Sequence, residues 1–186
     1  YAVQNTHRTI GTRTSSHIVQ NFGMRNALQP DHLTVKLKGS AGQALGAFAA
    51  PGLKIEVSGD ANDYVGKGLS GGTVVVRPPM ASPLVASDNT IIGNTVLYGA
   101  TDGYLFAAGR AGERFAVRHS GASVVIEGCG TNGCEYMTGG VAVILGSIGA
   151  NFGAGMTGGM SYVYDPNGAA AEMINMETLV TNAVTV

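Results

Sequence analysis

Residues 64–79 read YVGKGLSGGTVVVRPP, with four glycines in the seven positions 66–72 and three valines shortly after them. A phosphate-binding loop needs four residues between its first glycine and Gly-Lys, and a hydroxyl residue directly after the lysine. Here Gly68 follows Lys67, so the motif is not met. A dinucleotide-binding loop would lead into a helix, whereas valines follow here. The glycines therefore favour a structural corner that precedes a β-strand.

The same pattern recurs along the chain, which indicates an internal repeat. The copies that align without gaps are LSGGTVVV (69–76), HSGASVVIEG (119–128), MTGGVAVILG (137–146) and MTGGMSYVYD (156–165), with weaker copies from Ala49 and Ala100. The second small residue of each copy marks the repeat, at Gly52, Gly72, Gly103, Ala122, Gly140 and Gly159. The spacings are 20, 31, 19, 18 and 19 residues, and an insertion at about 78–90 accounts for the long step.

A unit of about 19 residues is too short for a helix pair or a propeller blade and matches one turn of a β-solenoid. The sequence thus predicts an all-β parallel β-helix of about six to seven turns over residues 39–165. Residues 1–38 are expected to cap one end. Their helix, within SSHIVQNFG (15–23), should start at a serine N-cap, bury Ile18, Val19 and Phe22, and end at Gly23. The tail, 166–186, is expected to lie across the other end.

The central strands are apolar at consecutive positions, which predicts that both of their faces are covered. Three positions after the repeat mark, every copy is apolar: Ile55, Val75, Phe106, Val125, Val143 and Tyr162. Charged residues make up 12% of the chain, against about 25% in average proteins. We therefore expect another domain or chain to cover part of the surface. The net charge of -1 gives no reason to expect nucleic acid or membrane as a partner, and a cytoplasmic location is predicted.

Two carboxylates occupy equivalent positions in different turns. Asp63 and Glu113 are two turns apart, about 10 Å, which favours a polar ladder over an acid–base pair that shares a proton. Lys67 stands where most other turns have an uncharged residue, and Arg114 follows Glu113. We predict that Asp63, Lys67, Glu113 and Arg114 contact a partner domain, and we assign no residue to catalysis, cofactor binding or metal binding.

The remaining reactive side chains are expected to be structural. Cys129 and Cys134 are too few for a disulfide framework or a complete zinc site, so buried thiols are favoured, with a redox or metal role as the alternative. His119 lies three positions before a repeat mark, in a mostly apolar column, and is expected to be a hydrogen-bonded core histidine.

Longer blocks of the sequence resemble a known family. They are GSAGQALGAF (39–48), GDANDYVGKGLSGG (59–72), IIGNTVLYGAT (91–101), AGERFAVRHSGA (111–122), GCEYMTGG (133–140) and NFGAGMTGG (151–159). From about Asn5 to Asp165 the chain resembles the C-terminal glycine-repeat (GXGXG) domain of the large (alpha) subunit of glutamate synthase. The resemblance implies a right-handed parallel β-helix, and His119 departs from the asparagine expected there.

The resemblance also implies a parent enzyme that makes two glutamates from glutamine, 2-oxoglutarate and a reductant. Its cofactors would be FMN and a 3Fe-4S cluster, with FAD and NADPH bound through a small subunit. This chain would be a non-catalytic structural domain that holds the glutaminase and FMN-binding synthase domains together for ammonia transfer, with a homo-oligomer as a further expectation. An independent ligand-binding or enzymatic β-solenoid, and the related subunit of formylmethanofuran dehydrogenase, are the alternatives. The electron donor and the choice between a fragment and a separate subunit are left open.

Overall fold

A computed structural model describes residues 1–24 and 28–184, and ten parallel strands lie within them. The strands are β1 (Ala2–Val3), β2 (Leu33–Ala41), β3 (Leu53–Ala61), β4 (Ser70–Arg77), β5 (Thr90–Ile92), β6 (Asp102–Ala107), β7 (Arg110–Ala111), β8 (Ser120–Ile126), β9 (Thr138–Ile144) and β10 (Gly158–Val163). Seven of them pair in the order β2-β3-β4-β6-β8-β9-β10. This confirms the all-β solenoid of about seven turns that the repeat predicts.

Successive strands pair with the spacings of the repeat, with one exception. The paired residues are Leu33 with Leu53, Ile55 with Val74, Val74 with Leu105, Leu105 with Val124, Val124 with Ala142, and Ala142 with Ser161. The sequence alignment placed Ile55 opposite Val75 and is wrong by one residue, because Glu56 pairs with Val75. The backbone N–H groups of Ser70 and Gly72 both donate to the Ala49 carbonyl. The glycine corner therefore accommodates one extra residue, and the pairing of the following strand shifts by one.

Side chains along each strand alternate between the inside and the outside of the solenoid. On β8, Val124 and Ile126 are buried, whereas Ser123 and Val125 are half-buried. The inward strand residues belong to one continuous core. They include Leu53, Ile55, Val57, Val74, Val76, Leu105, Ala107, Ala122, Ala142 and Ile144. Because the inward positions are mostly apolar, the stacking of the turns buries them together.

Each turn contains a corner in which alternate residues have a positive φ. In one corner these are Tyr64, Gly66 and Gly68, with φ values of 62°, 65° and 61°. The Gly66 N–H donates to Leu45 of the preceding turn, and the Gly68 N–H donates to Tyr98 of the following turn. Elsewhere the same positions are held by other residues, such as Arg114, Ala116 and Arg118. The glycines around Lys67 therefore form a structural corner, as the failed phosphate-loop motif indicated.

The N-terminal end of the stack is covered by helix α1 (Thr12–Phe22). The helix begins earlier than predicted, and its N-cap is Gly11 without a side-chain cap. The serine cap was wrong because Ser15 is buried inside the helix, where its Oγ accepts the Ala50 N–H at 3.1 Å. Ile18 is buried as predicted, but Phe22, the last residue of the helix, is 54% exposed. Gly23 ends the helix as predicted, with its N–H donating to Val19.

The other end is covered by the tail on one side only. The Asp165 carboxylate accepts the N–H groups of Ala169 and Ala170, which start a short 3-10 helix (Ala169–Glu172). Ile174 then forms a parallel bridge with Phe152. Between β4 and β5, residues 78–89 leave the stack and include a second 3-10 helix (Ala86–Asp88). The sequence-based boundary at residue 38 falls inside β2.

Candidate interaction surface

Two of the predicted contact residues, Asp63 and Glu113, lie in one column of a corner, on either side of Asn94. Asp63 Oδ1 accepts the Asn94 backbone N–H at 2.8 Å, and Asn94 Oδ1 accepts the Glu113 backbone N–H at 2.8 Å. These bonds join three successive turns. The arrangement is a polar ladder that supports the backbone, and it places the two carboxylates two turns apart, with Asn94 between them.

The other two predicted contact residues are engaged within the chain. Lys67 Nζ lies 5.9 Å from the centroid of the Tyr64 ring, in a cation–π arrangement. An Arg114 guanidinium nitrogen lies 3.3 Å from Glu135 Oε2, in the next turn. Lys67 and Asp63 thus belong to one corner, and Glu113 and Arg114 belong to the corner two turns further along. Contact of these four residues with a partner domain stays a prediction.

A cavity of about 520 Å³ lies elsewhere, between the excursion 78–89 and the ends of β2 and β3. Its walls include Lys38, Asp60, Leu84, Asn89 and Ile91. None of the four predicted contact residues lines it. A ligand groove at those four residues, which was the alternative hypothesis, therefore does not coincide with this cavity.

The outward side of the sheet is charged at β2 and β3. We call this part the charged outer face; it consists of Lys36, Lys54 and Glu56, together with Asp31 just before β2. Lys54 Nζ lies 3.1 Å from Glu56 Oε1 and 3.4 Å from Asp31 Oδ2, and Lys36 Nζ lies 4.0 Å from Glu56 Oε2. Hydrogen bonds to Glu56 and Asp31 raise the pKa of Lys54. The opposite charges of this network therefore compensate one another, and the network is compatible with a solvent-exposed surface.

From β4 to β10 the central outward positions of the sheet are uncharged and mostly apolar, and the charged outward residues Arg77 and Asp102 stand at strand ends. We call this part the apolar outer face; its residues are Val75, Tyr104, Phe106, Val125, Val141, Val143, Met160 and Tyr162. Phe106, Tyr162 and Met160 are 42%, 41% and 56% exposed. The Tyr104 and Phe106 rings stack with their centroids 6.3 Å apart and their planes 4° apart. Sequence analysis predicted a covered second face but did not separate these outward residues from the inward ones.

The two cysteines are buried free thiols, as expected. Burial raises the pKa of Cys129 to about 11 and that of Cys134 to about 12. The Ser161 hydroxyl lies 3.4 Å from the Cys134 sulfur. Both thiols are therefore protonated at neutral pH and are poor nucleophiles and poor metal ligands.

His119 is also fully buried, in the inward column where it was expected. The expectation of a hydrogen-bonded histidine was wrong, because neither ring nitrogen has a partner within residues 1–24 and 28–184. Desolvation lowers the pKa of His119, and the neighbouring Ala122 backbone offsets this only in part. The imidazole is therefore neutral at pH 7, and its ring sits against Gly140, where a side chain would overlap it.

Within the part of the chain that the structure describes, no three His, Cys, Asp or Glu side chains come together as metal ligands. Over the same residues, no helix is long and apolar enough to cross a membrane. The cytoplasmic location stays a prediction. What the described residues do present is a rigid stack with one extended apolar face.

Comparison with known proteins identifies relatives over the whole chain. It is 66% identical over 186 residues to the glutamate synthase (NADPH) large chain of Azospirillum brasilense, which covers 100% of this chain and 12% of that protein. It is 54% identical over 181 residues to glutamate synthase (NADH) of Schizosaccharomyces pombe, covering 97% of this chain and 8% of that protein. It is 50% identical over 185 residues to ferredoxin-dependent glutamate synthase 2 of Synechocystis, covering 100% of this chain and 12% of that protein.

The chain thus spans 8–12% of the length of these relatives. A family model described as the GXGXG motif matches residues 1–186. The chain therefore belongs to the GXGXG motif family.

Proposed function

We propose that this chain is a non-catalytic structural domain of a glutamate synthase, an enzyme that forms two glutamates from glutamine, 2-oxoglutarate and a reductant. The observation that carries the proposal is the similarity to glutamate synthases over the whole chain. The relatives are named for NADPH, NADH and ferredoxin. Because the chain is similar to enzymes named for three different electron donors, we infer a role that is separate from the entry of electrons. The same similarity favours glutamate synthase over formylmethanofuran dehydrogenase.

The role we propose is to hold the glutaminase and FMN-binding synthase domains together so that ammonia passes between them. Two features of the fold support such a role. Hydrogen bonds join each turn to its neighbours both along the sheet and at the corners, so the stack resists bending. The outward side of the sheet also offers an apolar surface of the kind that adjoining domains cover.

We further propose that FMN, the 3Fe-4S cluster, FAD and NADPH bind elsewhere in the enzyme. Iron–sulfur clusters are held by cysteine thiolates. The two cysteines here are buried, and their raised pKa values keep them protonated. These residues do not fit such a cluster, and we assign no step of the reaction to this chain.

The isolated chain tests the non-catalytic assignment. The purified 186-residue protein is assayed for glutamine hydrolysis and for reductant-dependent formation of glutamate from 2-oxoglutarate. We expect neither rate to exceed that without protein, with the complete enzyme as the positive control. Turnover by the isolated chain would contradict the proposal.

The complete enzyme tests the holding role. A Leu105→Ala substitution loosens the core of the stack without touching the predicted catalytic domains. We expect glutamate formation from glutamine to fall further than glutamate formation from added ammonia, because only the first needs aligned domains. Equal losses in both reactions would argue against a role in ammonia transfer.

A further inference from the structure

We infer that the apolar outer face is a docking surface for another part of glutamate synthase, and that this contact stops at β3. The occupant is an apolar, uncharged surface of the remaining enzyme. The inference rests on the proposed function, since it takes the longer enzyme as the partner. It adds which side chains meet that partner and where the contact ends.

The strand register makes the apolar outer face continuous. Val75, Phe106, Val125, Val143 and Tyr162 are paired in register on five successive strands. With strands about 4.8 Å apart, this row is about 19 Å long. A second row runs beside it with Thr73, Tyr104, Ser123, Val141 and Met160. Neither row contains a charged residue, and the exposed side chains include Tyr104, Phe106, Met160 and Tyr162, which is typical of a surface that another protein surface covers.

Two of the large side chains of this face, Tyr104 and Phe106, are stacked on each other before any contact forms. Both lie on one strand, and Met160 and Tyr162 project from the part of β10 that pairs in register with β9, after an irregularity between Gly158 and Met160. Aromatic side chains on a rigid backbone lose little conformational freedom when they are covered. The face is therefore suited to bind another rigid surface.

The charged outer face sets the limit of the contact. Glu56 is paired in register with Val75, so the boundary falls between β3 and β4. The ion pairs of Lys54 with Glu56 and Asp31 are already satisfied within the chain. Burying these charged groups against an apolar surface would cost more desolvation free energy than the contact would contribute. The partner therefore covers the central outward positions of β4 to β10 and leaves β2, β3 and the charged end of β4 at Arg77 in solvent.

The occupant lies outside the described residues. The tail reaches the corner at Phe152, through Ile174, and Leu179 packs beside Gly153, away from the sheet. In the relatives, the matched segment is only 8–12% of the chain, so most of each protein lies beyond it. A surface tethered to the same chain acts at an effective concentration on the order of millimolar. It therefore outcompetes a second copy of this domain.

Hydroxyl-radical footprinting tests the contact, because aromatic and methionine side chains react readily. Oxidation of Tyr104, Phe106, Met160 and Tyr162 is compared between the isolated 186-residue chain and the complete enzyme. We expect oxidation of all four to be at least about fivefold slower in the enzyme, in keeping with burial at an interface. Acetylation of Lys36, on the charged outer face, should be unchanged and serves as the control.

Each contrary result has a distinct meaning. Equal oxidation in the two samples would overturn the inference and leave the proposed function in place. If this chain is not part of the glutamate-forming enzyme at all, the proposed function fails instead. Protection that appears in the isolated chain and disappears on dilution would make a second copy the occupant, and this also overturns the inference.

A matched pair of substitutions tests where the contact ends. Val125→Lys lies on the apolar outer face, and Thr34→Lys is its control at an outward position on β2. In the complete enzyme we expect Val125→Lys to lower glutamate formation from glutamine at least about tenfold, and Thr34→Lys to change it less than about twofold. In the isolated chain both variants should keep the parent melting temperature within about 4 °C, which shows that the fold is intact. Equal effects of the two substitutions on activity would overturn the boundary.

Discussion

The two parts of the outward sheet side share one backbone geometry and differ in chemistry. At β2 and β3 the outward positions hold Lys36, Lys54 and Glu56, whereas at β6 to β10 they hold residues such as Phe106 and Tyr162. The inward side is mostly apolar along the whole stack, with His119 and Ser161 as polar residues. The inward residues therefore stabilise the solenoid, and the outward residues are free to match whatever surrounds each part of it.

The largest contrast lies between neighbouring residues on β6. Leu105 points inward and is fully buried, while Phe106 points outward. We expect Leu105→Ala to lower the free energy of unfolding by about 3 kcal/mol, because it removes contacts and leaves a cavity. Phe106→Ala should cost less than about 1 kcal/mol in the isolated chain, because its ring is already partly in water. Urea unfolding followed by circular dichroism measures both, and equal costs would show that the apolar outer face belongs to the core of the isolated chain.

Glycine substitutions test whether the two parts of the stack are equally tight. A side chain at Gly59, at the end of β3, would overlap the Gly39 carbonyl oxygen, and one at Gly121, in β8, would overlap the Thr101 carbonyl oxygen. We expect Gly59→Ala and Gly121→Ala each to cost at least about 2 kcal/mol, since the backbone must shift. Gly99, with φ 64° and open space around it, is the control, and Gly99→Ala should cost about 1 kcal/mol from the left-handed backbone alone. Thermal unfolding of the three variants measures these costs. A small loss of stability in Gly59→Ala would mean that the part of the stack with the charged outer face is more loosely packed.

The apolar part of the stack also contains the buried His119, which makes its stability depend on pH. Burial lowers the pKa of this imidazole in the folded state, so the unfolded chain binds the proton more tightly. The contribution of this group to the free energy of unfolding is fully present above the ordinary histidine pKa, about 6.5. As the pH drops below that value, the free energy of unfolding falls by up to about 1.4 kcal/mol per pH unit. His119→Met, which copies Met137 of the next turn, should remove this dependence. Unfolding measured between pH 8 and pH 5 checks it, and identical pH profiles for the two proteins would refute it.

The smallest effect is expected on the charged outer face. Glu56→Gln removes the partner of both Lys36 and Lys54. Because these groups are partly exposed, the loss should be under about 1 kcal/mol and should shrink in high salt. Thermal unfolding at low and at high ionic strength measures this. A larger loss that persists in high salt would mean that the network supports the fold and does not merely keep this part of the surface in water.

Much of the fold was predictable because the same types of residue recur at equivalent positions of each repeat. Small residues at the corners and apolar runs after them predicted the parallel solenoid and the number of turns. The register at Ile55 was off by one residue, since the sequence does not reveal that two N–H groups share the Ala49 carbonyl. The helix start was misplaced because Ser15 accepts a bond from a distant residue, Ala50, rather than from its own helix.

The candidate surface was less predictable than the fold. A run such as VVV (74–76) is apolar at every position, so the sequence alone cannot say which valines point inward. Asp63 and Glu113 were recognised as equivalent by spacing, but their link through Asn94 depends on how the corners stack. The cavity beside Leu84 depends on the path of the excursion, which no local pattern specifies.

By itself, the sequence determined the architecture: a period near 19 residues, with glycine where the backbone is crowded, permits a stack of parallel strands and little else. The tertiary structure decided which side of each strand meets the core and which meets a partner. The physical reason is that side chains alternate along a strand, so a shift of one residue in register exchanges the two faces. Only the hydrogen-bonded register, which places Val75 beside Glu56 and Phe106, fixes where the charged outer face ends and the apolar outer face begins.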